Sequence, residues 1–187
     1  SDDNGISVAA TLSEAGNLTI GGALADGGSV TLTDARNVII TSAGDDRGDT
    51  FTVTGTDEAG NAQTEAITGA NAGVATGTSY FTTITQIACS GATTGNVEAG
   101  TGTAVAAQVT VNRVRLRGLQ FVGNTTGGAV EVRTTGATGS IIYKFDANNV
   151  DDTVYPDIPD GGIVGSAGAY VVYTQTNLVS LTVFYEG

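Results

Sequence analysis

The chain is predicted to be all-β, built from antiparallel β-sandwich or barrel-like units, two of them in tandem, with little or no helix. Three observations predict this. Of 187 residues, 28 are Gly and 30 are Thr, so nearly a third either turn the chain at positive φ or suit a pleated, half-buried surface. Short apolar runs alternate with polar residues and are punctuated by Gly, Asn and Asp. No stretch longer than about ten residues shows the 3.6-residue period of an amphipathic helix.

Taken in order, the first ~25 residues are expected to form an extended arm. Strands are expected at 29–33, 37–41, 50–54 and 63–68, with 80–89 and a weak 95–99 completing the sheet. Phe51 and Val53 should face inward while Thr50, Thr52 and Thr54 face water. The link 56–61, with Gly60 near its end, should close an antiparallel hairpin. The Gly, Ala and Thr stretch 95–107 has no aromatic residue and reads as a linker or long exposed turn. It sets the expected division into an acidic N-terminal β domain, 1–107, and a C-terminal β domain, 108–187. In the latter, strands are expected at 109–122, 129–134, 140–145, 169–174 and 179–185. Phe184 and Tyr185 are expected to be buried near the terminus.

Charge and composition exclude much. There are 7 basic and 19 acidic residues, net −12, with −10 of this in 1–107 and −2 in 108–187. Such a surface repels nucleic acid. No apolar run approaches the ~18 residues of a membrane helix, so no membrane partner is expected. The start, Ser1-Asp2-Asp3-Asn4, is not followed by an apolar segment, so no signal peptide is expected. There is no His, and Cys89 is the one Cys, which removes imidazole bases, imidazole metal ligands and multi-thiolate zinc sites within one copy. Cys89 lies in an apolar run and reads as a small core residue.

Few motifs remain. Asp45, Asp46 and Asp49 form an acidic loop whose oxygens could hold a hard cation, but the spacing fits no EF-hand and a solvated turn is the simpler reading. Arg47-Gly48-Asp49 is better read as a local ion pair than as an integrin-binding tripeptide. A second acidic loop spans 146–162 and includes Asp151, Asp152, Asp157 and Asp160. Paired carboxylates could in principle cleave glycosides, yet Trp is absent and no sugar platform is evident, so no enzyme activity and no cofactor are expected. Arg113, Arg115 and Arg117 share one face of an ideal strand, opposite Val114, Leu116 and Gly118. Three arginines cannot lie unpaired in an apolar core, so they face water or an acidic partner: the chain's own first part or a neighbouring subunit.

The text of 37–46, 50–57, 60–69, 71–73 and 80–85 resembles a module frequent in virion structural proteins of tailed bacteriophages, marine and cyanobacterial ones especially. Residues 136–142, 160–163 and 181–185 resemble the second half of such proteins. The resemblance implies a β-sandwich without catalytic residues that serves as head decoration or as a tail or fibre part. The chain lacks coiled-coil heptads and long repeats, which favours decoration. A cement protein on the outer head surface is therefore expected, made in the host bacterial cytoplasm, with the major capsid protein and itself, as a homotrimer, for partners. The arginine triplet is the expected interface. The alternatives are a tail or fibre adhesion module and a secreted immunoglobulin-like adhesin domain.

Overall fold

A computed structural model describes residues 1–124, 126–147, 153–174 and 178–187. No helix occurs among them and 67% of the chain is strand in antiparallel ladders, so the fold is all-β. The chain divides into two compact units, Ser1–Gly102 and Thr103–Gly187.

The first unit holds β1 (Asp2–Ala10), β2 (Gly16–Asn17), β3 (Ala25–Asp26), β4 (Ser29–Asp45), β5 (Thr50–Thr56), β6 (Ala62–Thr68), β7 (Asn71–Cys89) and the first part of β8 (Val97–Thr110). Its sheet runs β8-β4-β7-β5-β6, with β1 on β8, β2 on β7 and β3 on β4. Core side chains come from the whole path, among them Ile6, Val38, Phe51, Ile67, Phe81, Ile84 and Val97. Leu18 and Ile20, from the stretch between β2 and β3, join the same cluster and cover it. β4 and β7 have 17 and 19 residues, and their ladder shifts register after Thr31, Asn37 and Ser42, where the strands bend.

Those bends explain where expectation and structure part. The segment 34–36 breaks the alternation and was expected to separate two strands, yet β4 runs through it, the first register shift absorbing the break while Ala35 turns inward. The first residues are no arm: β1 pairs with β8, and Ile6, Leu18 and Ile20 are buried. The stretch 95–107 is no linker. It is strand from Val97 on, with Val97, Ala99, Val105 and Ala106 buried, and the division between units falls inside β8. Its glycines admit close neighbours: a Cβ on Gly100 would meet the Asp2 backbone, and one on Gly102 the Asn37 side chain. The hairpin at 56–61 is as expected. Asp57 accepts from the amides of Ala59 (2.9 Å) and Asn61 (2.8 Å), and Gly60 takes φ +84°. Phe51 and Val53 are buried with the flanking threonines half-exposed.

The second unit holds the rest of β8 with β9 (Val114–Gly123), β10 (Gly128–Arg133), β11 (Ile141–Ala147), β12 (Thr153–Val154), β13 (Ile163–Gly165), β14 (Ala169–Thr174) and β15 (Leu178–Glu186). One layer runs β11-β10-β14-β8; the other has β9 paired with β12, β13 and β15. Val114, Leu116, Leu119 and Phe121 of β9 pack on Val130, Val132, Ala169 and Val171 of the facing layer, a sandwich core that shares no residue with the first. Phe121 meets Phe145 edge-on, centroids 5.3 Å apart.

The strand expected over 109–122 is two strands. β8 ends at Thr110, whose Oγ1 accepts from the Asn112 amide at 3.2 Å, and β9 starts at Val114. Inward positions on β9 then read 114 and 116, but 119 and 121, so the phase slips once at Arg117 and Gly118. The partner ladder shifts at the same place, between Phe184 and Tyr185. Gly118 therefore leaves the core face on which alternation placed it. Phe184 and Tyr185 are 50% and 48% exposed rather than buried: Val183 takes the inward position opposite Leu119, which turns Phe184 outward, and Tyr185 follows the register shift.

Candidate functional site

β9 turns Arg115, Arg117, Gln120 and the apolar Val122 outward, between the buried Val114, Leu116, Leu119 and Phe121. Cross-strand partners share a face, so the register assigns the rest of the surface. Glu186 lies opposite Arg115 on one side and Val164 on the other, Thr182 opposite Gln120, and Phe184 opposite Gly118. Tyr155, 68% exposed, follows β12, and its hydroxyl accepts from Gln120 Nε2 at 3.0 Å. The result is an open face with Phe184, Tyr155, Val164 and Val122 among arginines.

The arginines are exposed but held. Arg117 pairs with Glu186 and donates to the Asp160 carbonyl at 3.1 Å. Arg115 donates to the Gly161 carbonyl and stands 3.9 Å from Glu186. Arg113 is exposed just before β9. Among the described residues, three arginines here meet two carboxylate residues, Glu186 and the Asp160 that adjoins Arg117, so cations outnumber anions on this face of a chain of net −12. The acidic counterpart that the triplet needs is thus met first inside its own unit, by Glu186. Carbonyls 160 and 161 hold both side chains by their guanidinium Nη1 atoms, so much of the side-chain entropy cost of ordering them is already met in the free chain. Nothing in the alternation pattern singled out Glu186, Tyr155 or Val164; only the register brings them to β9.

The acidic loop resolves differently. Asp45 accepts from Arg47 Nε at 2.8 Å and Nη2 at 2.7 Å, and this hydrogen-bonded guanidinium lowers its pKa to about 2. Asp46 is fully buried; its Oδ1 accepts from the Thr94 amide at 2.7 Å, while Oδ2 has no partner. Asp49 accepts from Ser90 Oγ at 3.4 Å. The three carboxylates turn to three separate partners. Among the described residues no group of three His, Cys, Asp or Glu side chains is placed to hold a metal ion. Asp46 ties the end of β4 to the segment leading into β8. Cys89 is buried beside it, donates to the Gly91 carbonyl at 3.4 Å, and has its pKa raised by that burial.

In the second acidic loop, the Asp157 carbonyl accepts from the Tyr143 hydroxyl at 2.7 Å and Asp160 meets Arg117 through its carbonyl, while Asp151 and Asp152 lie outside the described residues. The second unit also opens an apolar cleft of about 290 Å³ lined by Val109, Val171, Tyr173, Leu178 and Val183, with no charged group to orient a ligand. No helix among the described residues is long and apolar enough to cross a membrane. No protein-family model, curated protein or solved structure matches the chain.

Proposed function

We propose that this chain is a structural protein of a tailed-phage virion, a decoration protein that binds the outer surface of the head and stabilises it as a homo-oligomer. The observation that carries the reading is the outer face of the β9 layer. Arg, Tyr and Phe side chains held on a rigid sheet, and exposed together, make the composition of a protein-binding hot spot. The sequence resemblance of 37–85 to phage virion modules gives that surface its setting. A cement protein works by adding buried area across joints between coat subunits, and many weak copies sum. Two β units with separate cores, linked through one strand, suit that static task.

The reading is tested by adding the purified chain to expanded shells that lack it. Saturable binding, with raised resistance of the shells to heat, supports decoration. Absence of binding to shells, together with its recovery in isolated tails, would move the chain to the tail or fibre.

A further inference from the structure

We infer that the occupant of the β9 face is a second copy of this chain, which presents its acidic first unit, so that copies associate by contact between unlike surfaces. The inference deepens the reading of this face as a contact surface and rests on it. Its basis is charge. Among the described residues the face carries Arg113, Arg115 and Arg117 against Glu186 and Asp160, whereas the first unit has two arginines against twelve carboxylates, net −10. Asp3, Glu14, Asp26 and Asp34 of that unit are exposed. Face against face would bring positive onto positive around Phe184 and Tyr155. Face against first unit pairs opposite charge around the same aromatic centre.

Distance also selects this arrangement. Free copies at net −12 repel over long range, but at physiological ionic strength the field decays within about 8 Å, leaving the local attraction between the arginines and facing carboxylates to act at contact. Arg115 and Arg117 are already held by carbonyls 160 and 161, so docking orders little further side chain there.

Sedimentation velocity on the full chain, as a concentration series at ~0.15 M salt, measures the association. Wild type is expected to self-associate. Arg115→Glu with Arg117→Glu should weaken association about 100-fold, and Phe184→Ser should weaken it as well. Val74→Ser, which alters an equally exposed apolar residue of the first unit, serves as a folding control and should melt as wild type does. A wild type that stays monomeric up to about 1 mM overturns the inference while leaving shell binding to be judged by its own test. So does association unchanged in the arginine and Phe184 variants. The unlike pairing is read by photocrosslinking from benzoylphenylalanine at position 184 in mixed isotope-labelled copies. Inter-copy adducts within 1–102 are expected, and adducts confined to 103–187 would contradict the pairing. If the charge variant fails to fold, radical footprinting of wild-type Tyr155 decides: its labelling should fall as the protein is concentrated, and labelling that stays constant in the oligomer overturns the inference.

Discussion

Phe184 lies across the ladder from Gly118, and its ring covers backbone there that carries no side chain: a Cβ at 118 would stand 3.4 Å from Phe184 Cδ2. The bulge that turns Gly118 out of the core thus creates the seat on which Phe184 rests half-exposed. Gly118 is not at positive φ, so Ala fits its backbone conformation. Gly118→Ala should therefore change stability by no more than about 1 kcal/mol, with the entropy lost from the unfolded chain favouring a gain. Urea unfolding measures it. A loss above about 2 kcal/mol would show that Phe184 cannot yield the few tenths of an ångström the methyl group needs.

Asp46 and Thr94 are separated by 48 residues and joined by one buried hydrogen bond. Asp46→Ala leaves the Thr94 amide without its acceptor and should cost about 1–3 kcal/mol. Asp46→Asn keeps a carbonyl oxygen to accept from that amide, so it should cost less than half as much. Denaturant titration of the two variants orders them; an Asn variant less stable than the Ala variant would contradict the assignment.

Asp45 has its pKa lowered to about 2 by the hydrogen bonds from Arg47. A depressed folded value means that any stability the pair contributes is present above the unfolded value of about 4 and is lost as pH falls through about 2. The pair is exposed, so melting at neutral pH should be indifferent to Arg47→Ala. The titration itself should not be: carboxyl carbon shifts should place the Asp45 midpoint near 2 in wild type and return it to the ordinary carboxylate range in Arg47→Ala.

Cys89 is buried, and that burial raises its pKa, so little thiolate is present at neutral pH and none is accessible. A thiol reagent should modify the folded chain only at its rate of opening and react at once in denaturant. Rapid labelling without denaturant would mean that the core around Ile87 and Phe51 is looser than its packing implies.

The strands with one wet face were legible: Phe51 and Val53 against three threonines is a period-two signal with little competition. So was the hairpin at Asp57 to Asn61, because its turn chemistry is local. Bulges were not legible, since a slip of one residue at Gly118 depends on what β15 pairs with 66 residues later. The same reason hid the passage of β4 through Asp34, and small residues hid β8: Ala, Gly and Thr carry almost no hydrophobic contrast, although Gly100 and Gly102 are required by tight neighbours. The arginine triplet was visible as a motif. Its partner Glu186, and the aromatic residues beside it, became visible only through the antiparallel register.

Counting copies of the chain in purified particles, by quantitative mass spectrometry against the major coat protein, tests the central claim most directly. A decoration protein should be present in a fixed ratio to the coat, on the order of hundreds of copies per head, because stabilisation of a shell comes from many joints held at once. Fewer than about ten copies, enriched with the tail after heads and tails are separated, would contradict it.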